Sequence, residues 1–227
     1  MTIKHSEQNQ KSRAFTLIEM IGVLAVIAIL AAVLIPKVFS AIDTSQVNNT
    51  AMSCNSVKTA IADHYGKYGG LACDGTQTPP APLTVTTAAP FNNFDTYLLK
   101  EGLVDKLFAA KIGDGTSGTA TGTRITLLQG PSALGGTITA ASTPAAVTDA
   151  SFDLMASGTN TINGSVVAVA LITGVSLNQA RALNAIIDGS AAAMGDGGTL
   201  SDTSGRVKYT FASATTNATV YVYLTHR

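Results

Sequence analysis

Near the N-terminus, residues 13–37 read RAFTLIEMIGVLAVIAILAAVLIPK and contain the longest apolar run of the chain. Over residues 15–35 this run has 21 residues, of which only Thr16 and Glu19 are polar. An α-helix rises about 1.5 Å per residue, so a helix of this length covers the roughly 30 Å hydrocarbon core of a bilayer. The run therefore predicts a transmembrane helix over residues 15–36.

Basic side chains come before the apolar run. The first 14 residues contain three of them, Lys4, Lys11 and Arg13, and one acidic residue, Glu7. Positive charge beside a membrane span keeps that end in the cytoplasm. We therefore expect a single-pass protein of the inner (cytoplasmic) membrane, with the bulk of the chain outside the cytoplasm.

Residues 14–19, AFTLIE, join the basic segment to the apolar run. This arrangement resembles the N-terminus of type IV prepilins and of the pseudopilins of type II secretion, over about the first 65 residues of the chain. The resemblance implies that prepilin peptidase cuts between Ala14 and Phe15, removes the leader 1–14, and leaves Phe15 to be N-methylated. The family usually has Gly before the cut, and the small Ala14 predicts slower cleavage. The alternative is an uncleaved signal anchor.

Glu19 is a carboxylate within the apolar run, where an unpaired charge is costly and indicates a functional site. A catalytic role is disfavoured, because no other ionisable group occurs between Glu19 and Lys37. A side chain that reaches back toward the headgroups is a second interpretation. The resemblance implies a third, which we favour: the carboxylate pairs with the free amino group of Phe15 on a neighbouring subunit during assembly.

The pattern changes at Pro36, where a kink or local melting is predicted because proline lacks the N–H donor and clashes with the preceding turn. Over residues 37–68 apolar side chains recur every three or four positions, which predicts an amphipathic helix with one buried stripe. Gly69 and Gly70 supply its stop. The stripe consists of Val47, Ala51, Cys54, Val57, Ile61, Tyr65 and Tyr68.

The two cysteines, Cys54 and Cys73, leave two alternatives open, a disulfide or two separate thiols. Cys54 lies on the predicted stripe and Cys73 follows the Gly-Gly turn. The chain returning from the turn spans the roughly 20 Å back to Cys54 if it is extended. A location outside the cytoplasm permits a disulfide, which we favour.

Residues 69–227 are predicted to form a globular α+β head in which an antiparallel sheet lies on the long helix, as in a type IV pilin. A short helix is predicted over residues 94–101, and Ser176-Leu-Asn-Gln179 is typical of a capping box that opens a second helix ending near Asp188. The last two segments alternate and predict a hairpin. The predicted strands are 124–129, 137–141, 151–156, 165–173, 206–213 and 219–226.

The Gly-rich segment around residues 189–205 invites comparison with a calcium loop found in some pseudopilins. Asp188, Asp196 and Asp202 could supply oxygen ligands of the kind that Ca²⁺ takes. Their spacing does not match an EF-hand, and Asp-Gly is an ordinary turn pair. A solvated turn without metal is the favoured interpretation, and no cofactor is expected. His64, beside Asp63, is interpreted as surface polarity.

Composition limits the remaining function classes. Only 12% of residues are charged and the net charge is +0, so nothing indicates nucleic-acid contact. The sequence contains no catalytic motif, and an enzyme is not expected. We predict a pilin that polymerises with copies of itself into a surface filament, with prepilin peptidase and an inner-membrane assembly platform as partners. The alternatives are a major pseudopilin of type II secretion and a membrane-anchored binding domain or enzyme.

Overall fold

The computed structural model describes residues 16–75, 81–82, 93–115, 122–129, 166–189, 200–202 and 205–226. A long N-terminal helix and a five-stranded antiparallel sheet dominate the architecture. This arrangement confirms the predicted α+β, type IV pilin-like fold class. Two predicted strands, 137–141 and 151–156, lie outside the described residues.

The described residues form three helices and seven strands. The helices are α1 (Leu17–Tyr68), α2 (Phe94–Lys100) and α3 (Leu177–Ile187). The strands are β1 (Cys73–Asp74), β2 (Ala81–Pro82), β3 (Arg124–Gln129), β4 (Val166–Val175), β5 (Ser201–Asp202), β6 (Val207–Thr210) and β7 (Ala218–His226).

The chain divides into two compact units, and the boundary between them, at Ile42 and Asp43, falls within helix α1. In the second unit its predicted stripe is buried at Val47, Ala51, Cys54, Val57 and Ile61. The helix ends where predicted, since Gly69 follows with a φ of 72° that glycine adopts without strain.

Within the first unit, α1 passes through Pro36 without interruption. Local melting of the helix therefore does not occur at this proline. A bend of the helix axis at Pro36 stays a prediction.

The larger sheet has the strand order β3-β4-β7-β6-β5, and all of its neighbouring strands are antiparallel. Strand β4 has partners on both sides, which explains why its sequence, VVAVALITGV, is apolar almost throughout. The register of β4 against β7 shifts between Ile172 and Val175, where Gly174 takes a φ of 71°. The predicted hairpin is confirmed as the β6–β7 pair.

The two faces of this sheet are buried in different clusters. One face joins the stripe of α1 and the apolar sides of α2 and α3 in the main core, which includes Ile61, Leu98, Leu183 and Tyr209. Alternate residues on the other face form a smaller cluster of Leu128, Val167, Val169, Leu171 and Tyr221. The alternation follows from the two-residue period of a strand.

Helix α3 starts with the predicted capping box. The Ser176 hydroxyl accepts from the Gln179 N–H, and the Gln179 side chain accepts from the Ser176 N–H. Leu177, Ala180 and Leu183 then turn toward the main core. The Ser-x-x-Gln pattern was sufficient to place this helix start.

Candidate functional site

The N-terminus of α1 is closed by a second capping box, formed by Thr16 and Glu19. The backbone N–H and the hydroxyl of Thr16 both donate to Oε2 of Glu19, each over 2.8 Å. In return, the N–H of Glu19 donates to Oγ1 of Thr16 over 3.3 Å. The first turn of a helix has N–H groups without intrahelical acceptors, and this box satisfies two of them.

The capping box matters because a bilayer offers no water to hydrogen-bond backbone groups. A carboxylate near a helix N-terminus is also favoured by the helix dipole. Thr16 and Glu19 therefore satisfy this helix end through bonds within the chain, as a position inside a bilayer would require. The Thr-x-x-Glu spacing is the sequence signal for this box, and the predicted role of Glu19 between subunits did not include it.

Glu19 remains accessible despite this local bonding. Its side chain is exposed and lines a shallow groove with Met20, Gly22, Val23, Val26 and Ile27. A Cβ at Gly22 would meet no atom within 4 Å. Among the described residues Oε1 of Glu19 has no hydrogen-bond partner.

The first unit exposes its large apolar side chains along the whole helix. From Leu17 to Ile42 their exposed fractions run from 43% to 76%. By length and composition, α1 contains a candidate membrane span, and none of the residues in that window is buried. An apolar surface of this size marks a region that contacts lipid or other helices. It includes Leu17, Ile18, Met20, Ile21, Val23, Leu24, Val26, Ile27, Ile29, Leu30, Val33, Leu34, Ile35, Val38, Phe39 and Ile42.

The predicted cleavage and methylation positions, Ala14 and Phe15, lie outside the described residues. Both stay predictions. So does the pairing of Glu19 with the amino group of another subunit.

In the second unit, the prediction for His64 was wrong. Its ring is fully buried, and Nδ1 lies 2.6 Å from Oε2 of Glu101, whose side chain is 1% exposed. The other oxygen of Glu101 accepts from the Gly75 N–H over 3.0 Å. Tyr68 and Phe94 pack their rings against the imidazole at centroid distances of 5.0 and 5.1 Å. Glu101 thus ties the end of α1 to the chain after α2 and to the segment after β1.

Sequence reasoning missed this pair because 37 residues separate its members. Neither His64 nor Glu101 lies at a short sequence spacing from the other that would predict their contact. Glu101 follows α2, and only the tertiary fold brings it to α1.

Cys54 is a buried free thiol in the main core. Burial raises the pKa of this thiol to about 12, because the thiolate would lose its hydration. The predicted disulfide with Cys73 stays a prediction, because the side chain of Cys73 lies outside the described part of the chain.

The carboxylates considered for calcium have protein partners. Asp188 accepts from the N–H groups of Arg206 and Val207 and from Nε of Arg206, over 2.8 to 3.0 Å. Asp202 accepts from the Asn184 side chain over 2.7 Å. The third carboxylate, Asp196, lies outside the described residues.

These contacts give Asp188 a structural role. The Arg206 guanidinium supplies the positive charge beside it and also donates to the Ile187 carbonyl, which links the end of α3 to the start of β6. Within the described residues, no group of three or more His, Cys, Asp or Glu side chains could hold a metal ion.

Comparison with known families identifies the N-terminal segment. Residues 9–35 match the model described as the prokaryotic N-terminal methylation motif, the cleavage and methylation segment of type IV prepilins and pseudopilins. Neither the curated proteins nor the solved structures contain a match to the chain. The motif indicates a type IV pilin or pseudopilin-like protein and implies processing by prepilin peptidase and assembly into pilus-like polymers. The candidate membrane-spanning helix fits membrane anchoring.

Proposed function

We propose that this chain is a pilin, the structural subunit of a type IV pilus-like surface filament used for adhesion, twitching motility or DNA uptake. Before assembly it is anchored in the inner membrane with its head outside the cytoplasm. Prepilin peptidase removes residues 1–14, and the new N-terminal Phe15 is methylated. An inner-membrane platform then transfers subunits into a helical homopolymer.

One observation carries this proposal: the methylation motif leads into a helix whose large apolar side chains are exposed as far as Ile42. Glu19 is the only acidic residue between Phe15 and Ile42. Full burial of a large apolar side chain is worth about 1.5–3 kcal/mol. Lipid covers these side chains before assembly, and helices of neighbouring subunits cover them in the filament. A single segment thereby serves as anchor and as polymer core.

Glu19 links processing to assembly. Cleavage creates an amino group at Phe15, and this amine on a neighbouring subunit meets the Glu19 carboxylate. A carboxylate buried without a partner in an apolar filament core costs several kcal/mol, so pairing offsets much of that cost and selects one axial register of the subunits.

A major pseudopilin of a type II secretion system is the second candidate, because the same N-terminal motif serves both machines.

The proposal is tested by electron microscopy and mass spectrometry of material sheared from cells that express the chain. We expect long filaments built from subunits that begin at Phe15 and are one methyl group heavier than the unmodified chain. Intact Met1 in the assembled material would contradict the proposed processing. Filaments that appear only on overexpression of a secretion system would favour the pseudopilin.

Glu19→Ala tests the pairing step. The variant is expected to insert into the membrane normally and to lose filaments almost completely. Asp63→Ala, which removes an exposed acid from the other half of α1, serves as the matched control and is expected to assemble normally. Wild-type amounts of filament from Glu19→Ala would refute the pairing.

A further inference from the structure

The smaller cluster lies on the second face of the sheet, and its described members all belong to strands β3, β4 and β7. Val167, Val169 and Leu171 are nevertheless at most 5% exposed. The three described helices contribute their buried apolar residues to the main core on the opposite face. A sheet face is buried only when another layer packs on it. The second face therefore has a cover other than the described helices.

A row of paired residues crosses this second face from β3 to β6. Arg124 pairs with Leu171, Leu171 pairs with Tyr221, and Tyr221 pairs with Lys208. Directly paired residues point to the same side of a sheet, so the row places two cations beside the smaller cluster. We call these four residues the cationic row.

The cationic row is withdrawn from water. Arg124 and Lys208 are each 2% exposed, and burial raises the pKa of Tyr221 to about 12. Asp95 of α2 supplies negative charge near Arg124. Charges removed from water are costly unless opposite charge and hydrogen bonds accompany them. A cover that packs on this face is therefore expected to carry acidic groups as well as apolar ones.

The connection between β3 and β4 is far longer than these strands need. Gln129 and Val166 are a register pair, so a two-residue turn would be enough to join the strands. The chain instead inserts residues 130–165, which are 36 residues. A sheet of five strands is about 20 Å wide, and a connection of this length spans that distance with residues to spare.

The composition of residues 130–165 suits the second face. Their only charged residues are Asp149 and Asp153, and they contain no Lys, Arg or His. Large apolar side chains are spread over the segment from Leu134 to Ile162. The head segments 76–80, 83–92, 116–121, 190–199 and 203–204, which also lie outside the described residues, contain one charged residue in total, Asp196. Charge complementarity thus favours 130–165 as the cover.

We propose that residues 130–165 dock on the second face of the sheet, with apolar side chains on the smaller cluster and the carboxylates of Asp149 and Asp153 at the cationic row. The partner of this face is a segment of the same chain and not a second subunit. The inference concerns the head alone and does not depend on the proposed function.

Double-mutant cycles test the charge contacts. Each cycle combines the removal of one acid from the segment with the removal of one cation from the row, and urea unfolding of the full chain in detergent gives the unfolding equilibrium constant. We expect each acid variant to raise this constant about tenfold to a hundredfold, through the loss of a contact with a charged group. The variants are Asp149→Asn, Asp153→Asn, Lys208→Met and Arg124→Met.

The coupling within each cycle decides the outcome. The effect of an acid variant should fall about fivefold or more in the background that lacks its cation. Asp63→Asn, which neutralises an exposed acid on α1, is the matched control and should change the unfolding constant by no more than about twofold. The proposal is overturned when neither acid couples to either cation.

A shortened chain tests the cover directly. Replacement of residues 130–165 by Asn-Gly joins β3 to β4 through a favoured two-residue turn. Acetylation by acetic anhydride, read by mass spectrometry, reports the exposure of Lys208, and the exposed Lys58 is the internal reference. In the full chain we expect Lys208 to react at about a tenth of the Lys58 rate or less, because it reacts only after local opening. In the shortened chain the two rates should be similar.

Near-UV circular dichroism shows whether the shortened chain is folded, and the cycles decide if it is not. A folded shortened chain in which Lys208 stays protected overturns the proposal. Light scattering then identifies the true cover: a monomer indicates another segment of the chain, and a dimer indicates a second copy.

Discussion

Ile27 and Ile61 lie on the same helix, yet the side chain of Ile27 is 55% exposed whereas that of Ile61 is fully buried. The difference holds along both halves of α1. Up to Ile42 no described large apolar side chain is buried, and from Val47 onward one stripe enters the main core. The first half is apolar all round, and the second half is apolar on one side only.

This difference shows where each half finds its partners. The apolar stripe of the second half packs against other residues of the same chain in the main core. Its sequence pattern therefore reflects the fold of the head. The first half exposes its apolar side chains along the described helix, and such a surface is typical of a segment that contacts lipid or other helices. Mutations in the two halves should therefore affect different measurements.

Removal of Glu101, the buried acid that contacts His64 near the end of α1, should have the largest effect on the stability of the head. Glu101→Ala removes the acceptor beside the buried His64 ring and the acceptor of the Gly75 N–H, and we expect a loss of about 1–3 kcal/mol in the free energy of unfolding for each of these two contacts. Urea unfolding of the mature chain in detergent, followed by near-UV circular dichroism of the tyrosines, measures this loss.

Lys58→Ala is the control for this variant, because Lys58 is exposed on the same helix and its removal should change stability by less than about 0.5 kcal/mol. Glu101→Gln keeps an acceptor beside His64 and should lose less than the alanine variant. A loss below about 1 kcal/mol in Glu101→Ala would mean that the His64 contact does not hold the head to α1.

The two isoleucines provide a direct comparison of the halves. Ile61→Ala is expected to destabilise the head by about 2–5 kcal/mol, through lost burial and the cavity left behind. Ile27→Ala makes the same chemical change on an exposed surface and should leave the unfolding of the head within about 0.5 kcal/mol of wild type. Equal losses in the same denaturant titration would show that the first half is part of the folded core.

The smallest expected effect is the alkaline dependence of Cys54. Its pKa is raised to about 12 in the folded state, above the value near 8.5–9 of an exposed thiol. Between these values the unfolded chain loses the thiol proton while the folded chain keeps it, so stability falls as pH rises.

This contribution should amount to about 1–2 kcal/mol at pH 10 and should be absent near pH 7. Unfolding curves at pH 7 and pH 10 measure it, and the Cys54→Ala variant should lack this part of the pH dependence. The native thiol should also resist alkylation at pH 8. Identical pH profiles for wild type and Cys54→Ala would contradict the burial of a free thiol.

Local patterns predicted the parts of the fold that depend on neighbours in sequence. The stop at Gly69, the Ser176–Gln179 capping box and the β6–β7 hairpin each involve residues a few positions apart, and each is present. The pairing of β4 with β7 and the contact of His64 with Glu101 depend on residues far apart in the chain, and no periodicity encodes them.

In the candidate site, too, some features could be predicted from the sequence and others could not. Its apolar run and its acid were evident from the sequence, whereas the capping box of Thr16 and Glu19 was not predicted, although the Thr-x-x-Glu spacing signals it. What the sequence could not reveal is that both Thr16 donors converge on one carboxylate oxygen. That result depends on the rotamers of the first helical turn.

The place of β7 in the sheet has a consequence for the timing of folding. This strand is the last in sequence among those described, yet it lies third in the order and joins β4 to β6. The apolar half of α1, by contrast, leaves the ribosome first. A nascent chain thus exposes its candidate membrane span long before residues 218–226 are available to close the sheet, so the head is still unfolded when that span first emerges.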